Sequence, residues 1–156
     1  MNMHVLKLTV LLAGLAVGRL ISPPAEAMAK SAEVYTAPLS SVAVGGYDPV
    51  AYFEAGAAVR GQAQFATRWK GVEYRFSTPE RLAKFRADPE RYAPQFGGYC
   101  AWAVSQGYLA KGDPRHWRVA DGKLYLNYNA EVQRRWEADI PGFIALGHKN
   151  WPRVLD

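Results

Sequence analysis

Residues 63–80 read AQFATRWKGVEYRFSTPE, and the changes of period within that stretch decide the fold class. Phe65, Thr67 and Trp69 alternate with Gln64, Ala66 and Arg68, the two-residue period of a strand with one covered face. Lys70-Gly71 interrupts the alternation as a two-residue hairpin loop does, and residues 72–76 (VEYRF) return as the second strand. Ser77-Thr78-Pro79-Glu80 then switches to helical grammar. A hydroxyl cap precedes a proline whose missing N–H has no partner in the first turn anyway. Leu82 and Phe85, with Arg86 beside them, continue at helical spacing up to Ala87. The stretch predicts a hairpin followed by a helix.

Working outward, Asp121-Gly122 between residues 117–120 and 123–127 predicts a second hairpin. Asn129 caps a following helix with Val132, Trp136 and Ile140 on its buried stripe, and Pro141 starts a last helical segment. Upstream, Asp48-Pro49 opens a short helix that Gly56 ends, and Asp88-Pro89 repeats the start signal for a turn through Tyr92. After Pro94, the spacing of Phe96, Cys100 and Val104 predicts a helix that stops at Gly107, with Cys100 early on its apolar side. The expected architecture is α+β: one small domain over residues 42–156 with two β-hairpins and several short helices. Residues 28–41 are polar and aperiodic and are expected to form a flexible N-terminal arm. No internal repeat is evident after Val42.

The N-terminus has the anatomy of a secretory signal over residues 1–27: Lys7, an apolar run at 8–18, and the small-x-small site Ala25-Glu26-Ala27. Ala27-Met28-Ala29 is a second cleavage site, and Arg19 is atypical. The run is well short of the roughly 20 residues that span a bilayer, so no stable membrane anchor is expected after removal. The chain is therefore expected to be periplasmic or secreted. Cleavage after Ala27 leaves 129 residues with net charge +4, spread along the chain without a dense basic block, which argues against nucleic acid as a partner. One cysteine forms no internal disulfide, so packing of the 5 Trp, 9 Tyr and 6 Phe must stabilise the fold.

The motifs in order closely resemble the stand-alone, exported YHS-domain proteins. The resemblance runs through residues 46–53 (GYDPVAYF), Trp69-Lys70-Gly71 to Ser77, Phe85 with Asp88-Pro89 and Tyr92, and residues 94–101 (PQFGGYCA). It continues through residues 121–129 (DGKLYLNYN), Trp136 and Asn150-Trp151-Pro152, so it covers nearly all of 43–152. It implies a small α+β domain with a hairpin followed by a helix. Related YHS modules accompany copper-transporting ATPases and some multicomponent hydroxylases, with metal binding through cysteines as the implied role. The metal-associated form carries cysteines where this chain has Ala51 and Ser77, so its ligand set is not transferred.

Cys100 is left as the candidate metal ligand, with copper the candidate metal and His116 a second candidate, since a soft thiolate and an imidazole suit Cu(I). Cys100 reads equally as a small buried hydrophobe, and His116 and His148 as surface residues. No zinc spacing occurs. A thiol-dependent enzyme would further need an oxyanion site at Gly97 and Gly98 and an orienting acid, Asp113 or Asp121, none of which the spacing selects. The other expectation is a binding module for a small molecule or a protein partner, with Cys100 purely structural. Its ligand-binding residues would be Tyr47 and Tyr99 with Gly97 and Gly98, in an aromatic pocket shared with Tyr52, Trp102 and Tyr108. The same residues fit a core with close backbone packing. A non-enzymatic, exported binding protein is the reading the sequence favours.

Overall fold

The computed structural model describes residues 29–156, so the expected signal peptide lies outside the described residues. Both hairpins form at the turns that the sequence marks. β1 (Gln62–Trp69) pairs antiparallel with β2 (Val72–Phe76), and β3 (Asp113–Ala120) with β4 (Lys123–Asn127). Lys70, Gly71, Asp121 and Gly122 have φ of 48, 79, 49 and 70°, the left-handed pair of a turn whose twist matches its strands. The helices are α1 (Ala51–Glu54), α2 (Pro79–Ala87), α3 (Pro89–Tyr92), α4 (Ala101–Ser105), α5 (Ala130–Glu137) and α6 (Ile140–Asn150). Side chains of Thr78, Asp88, Asn129 and Asp139 each accept the backbone N–H three residues on, capping α2, α3, α5 and α6. The architecture is α+β, and none of the described helices is long and apolar enough to cross a membrane.

Three expectations are corrected. The helix expected from Pro94 begins only at Ala101, because Phe96, Gly97 and Gly98 take φ of 55, 61 and 82° and cannot continue into a right-handed helix. Cys100 is the residue just before it. Of the arm expected over 28–41, the described residues 29–41 are in part docked: Val34 is buried, Ser31 N–H donates to Leu155 O (2.7 Å), and Tyr35 N–H donates to Gly97 O (2.9 Å). A Cβ on Gly97 would sit 1.8 Å from Glu33 O, so a glycine is required where this segment crosses.

The third correction is a tandem repeat. β1 and β3 have eight residues each, β2 and β4 five. The pairs Gln62↔Phe76, Ala66↔Arg75 and Trp69↔Val72 recur as Asp113↔Asn127, Trp117↔Leu126 and Ala120↔Lys123, with the same irregularity at the same place. Ahead of each hairpin, the left-handed run Val44-Gly45-Gly46 is repeated by Phe96-Gly97-Gly98, and the bridge Tyr47↔Arg60 by Tyr99↔Lys111. Asp48 N–H donates to Val59 O (2.8 Å) as Cys100 N–H donates to Ala110 O (2.9 Å). Behind each hairpin, Tyr74 packs on Phe85 at 4.8 Å and Tyr125 on Trp136 at 5.2 Å. The caps Asp88 and Asp139 share φ and ψ to within a degree. Residues 44–92 and 96–143 are thus two copies of one unit, in which Asp48 and Cys100 hold the same place.

The two units share a core through β4, buried on both faces. Leu124 and Leu126 join Val50, Tyr52, Tyr74, Phe76 and Phe85 of the first unit, while Tyr125 turns to Phe96, Val104 and Trp136 of the second. The period of two sorts one strand between two clusters.

Asp48 is the polar centre of the first unit. It is fully buried, and its Oδ1 accepts from Val50 N–H (2.9 Å) and Ala51 N–H (3.2 Å). Its Oδ2 accepts from the backbone N–H (2.8 Å) and hydroxyl (2.7 Å) of Ser77. The Arg81 guanidinium lies 3.7 Å from that oxygen and donates to Ser77 Oγ (2.8 Å). Asp48→Ala leaves three N–H groups and the Ser77 hydroxyl without their buried acceptor and removes one of the two carboxylates facing the part-buried Arg81 guanidinium. Urea unfolding of this variant should show a loss of about 3–5 kcal/mol, against about 1 kcal/mol for the cap variant Thr78→Ala.

Candidate functional site

In the second unit the place of the Asp48 carboxylate is taken by a thiol. Cys100 is 1% exposed, and its Sγ lies 3.7 Å from Asn127 Oδ1, which also accepts Trp102 N–H at 3.2 Å. Burial pushes the thiol up from its ordinary value, against an opposing pull from the backbone N–H groups of Ala103, Tyr128 and Trp102 turned toward the sulfur. Those N–H groups correspond to Ala51, Ser77 and Val50, the donors to Asp48. The second unit keeps the amide cradle and fills it with a neutral, weak acceptor.

Above the sulfur lies a cavity of about 240 Å³. Trp102 and Tyr108, which meet edge to face (6.2 Å), line it together with Tyr128, Val132, Ala103 and Ala110. Val132 corresponds to Arg81. In the first unit a long guanidinium side chain reaches back to the buried carboxylate; in the second, a short apolar side chain stands there and the cavity lies beside it. Tyr108 and Tyr128 are exposed at the rim. Lys111 lies over the Tyr128 ring (5.2 Å) and Arg135 over the Trp102 ring (5.9 Å).

The structure divides the aromatic set expected from the sequence. Trp102 and Tyr108 line the cavity over Cys100. Tyr99 is buried instead against Tyr35 and Trp151, its hydroxyl donating to Ala32 O (2.8 Å). Tyr52 is buried in the core, donating to Pro114 O (2.7 Å). Tyr47 is half-buried beneath the Arg60 guanidinium. Gly97 is crossed by residue 33, and Gly98 packs where a Cβ on Gly112 would meet its carbonyl at 2.1 Å. No described cavity brings Tyr47 and Tyr99 together.

His116 is half-buried on β3 beside Asp113, whose carboxyl is held down to about 2, chiefly by its hydrogen bond to Arg115. Among the described residues no hydrogen bond or cavity links His116 to Cys100, and no group of three or more His, Cys, Asp or Glu is placed to hold a metal ion. His148 is exposed on α6, edge-on to Phe96 at 5.1 Å. The cysteine-ligand positions implied by the resemblance do converge: Ala51 and Ser77 both bond the Asp48 carboxylate. They do not fit a metal site, since Ala51 has no donor and the Ser77 hydroxyl is engaged. Asn127, Tyr128 and Val132 were not evident as site residues in the sequence; aligning the two units picks them out.

The chain matches no family model, no curated protein and no solved structure.

A buried, protonated thiol should resist alkylation: iodoacetamide at pH 7.5 should leave folded Cys100 unmodified and label it fully in urea. Burial also raises the phenols of Tyr52 and Tyr74. The folded chain then retains protons that the unfolded chain releases above about 8.5 for the thiol and about 10 for the phenols. Stability from these groups is intact at neutral pH and falls as pH rises past those values. Urea midpoints at pH 8 and pH 10.5 check this, with the lower midpoint expected at pH 10.5.

Proposed function

We propose that this chain is an exported, non-enzymatic binding protein of the YHS kind, and that its ligand seat is the cavity over Cys100. The carrying observation is the comparison of the two units: where the first unit is filled by the Arg81 side chain, the second presents an aromatic-walled cavity with a thiol at its base. Three aromatic rings with small residues among them suit a flat apolar body. An apolar cavity of about 150 Å³ takes up benzene, so this one accommodates a single ring with a short substituent. Export rests on the residues of the N-terminal signal, and cleavage after Ala27 would leave every described contact in place.

Benzyl alcohol is a suitable neutral probe. It should shift the NMR resonances of the Trp102 indole and the Tyr128 ring, and Val132→Met, which fills the cavity with an apolar chain, should abolish the shifts. Shifts absent from the wild type, or unchanged in Val132→Met, would remove the cavity from consideration.

A second reading, copper held by the Cys100 thiolate, is favoured by the backbone N–H groups turned toward the sulfur, which support its anionic form. Uptake of one equivalent of Cu(I), lost in Cys100→Ser, would establish it over the first. Uptake unaffected by that substitution would end it.

A further inference from the structure

The charges around the two units differ in a way that specifies the occupant of the cavity. In the first unit two carboxylates and two cations close on each other: Asp48 faces Arg81, and Glu54 bonds both Arg81 (3.3 Å) and Lys84. The corresponding residues in the second unit are Cys100 for Asp48, Gln106 for Glu54, Val132 for Arg81 and Arg135 for Lys84. Both carboxylates are gone and one of the two cations remains.

Arg135 retains only an exposed pairing with Glu131 one turn away on α5, a contact of small worth in water. Its guanidinium lies over Trp102 and the Lys111 ammonium over Tyr128, two of the rings that line the cavity. Two cations and one acid therefore adjoin the rings that line an apolar cavity, and no charged side chain is among its lining residues.

From this we infer that the occupant is an aromatic or similarly compact apolar carboxylate. Its ring would lie among Trp102, Tyr108 and Tyr128, and its carboxylate would point outward between Arg135 and Lys111, supplying the charge that Glu54 supplies in the first unit. The inference rests on the cavity being the ligand seat.

Benzoate, benzyl alcohol and benzylamine share a ring and differ in charge, so titrating the purified protein with each separates the two claims. Benzoate should bind about tenfold more tightly than benzyl alcohol at low ionic strength, since each exposed cation is worth about two- to fivefold, and the advantage should shrink in 0.5 M salt at a Debye length of about 4 Å. Arg135→Gln and Lys111→Gln should each bring the ratio of benzoate to benzyl alcohol affinity toward one. Equal binding of benzoate and benzyl alcohol, or tighter binding of benzylamine, overturns the carboxylate while leaving the cavity as a seat. Binding of none of the three removes the seat itself, and the inference with it.

Discussion

The buried carboxylate of Asp48 is the constraint on which the rest of the first unit depends. A charge with no exposure is tolerable only if its lone pairs are all engaged and a counter-charge is near. Meeting that demand fixes three separate pieces of chain: the turn into α1 through Val50 and Ala51, the exit of the first hairpin through Ser77, and the face of α2 that carries Arg81. Once these are tied, Phe76 and Phe85 have little freedom in how they meet, and the centroid distance of 5.0 Å between their rings follows from the polar knot above them.

The second unit meets the same geometric demand without the charge. Its three amides surround a sulfur, a carbonyl oxygen from Asn127 accepts one of them, and no cation is required within the fold. Asn127 stands where the first unit has Phe76, a fully buried amide in place of a fully buried ring, and its Nδ2 finds no acceptor among the described residues. Exchanging an ion pair for neutral groups is close to neutral for stability when the shape is filled. Here the shape is not filled, and the unfilled part is the cavity.

The sequence made the fold legible wherever a local signal was strong. Lys70-Gly71 and Asp121-Gly122 located both hairpins, and Thr78, Asp88 and Asn129 located three helix starts, because these residues act through their own backbone neighbourhood. The helix after Pro94 failed for the opposite reason: the spacing of Phe96, Cys100 and Val104 satisfies a helical period, yet Phe96 sits in the left-handed region, held there by packing against Gly147 of α6 and by the crossing N-terminal segment. The repeat was hidden because identity survives mainly where the backbone demands it, at Gly-Gly-Tyr, the turn glycines and the Asp caps, while the apolar faces have diverged and the spacing changes by one residue before Gly56. The cavity was half-visible through Cys100, Trp102 and Tyr108. Val132 read as ordinary helix core, since only a comparison with Arg81 shows what it lacks.

Ser31 lies against Leu155, and Lys30 pairs with Asp156 at 2.7 Å, so the two ends of the packed chain adjoin. With adjoining ends and two halves of one design, the linear order of the halves is not imposed by their packing. A circular permutant opened near residue 94, between the units, and closed by a short linker across the old ends would place the thiol-bearing half first and leave nearly all long-range contacts in place. The polypeptide order records how the chain is connected, while the body it forms is indifferent to which half is read first.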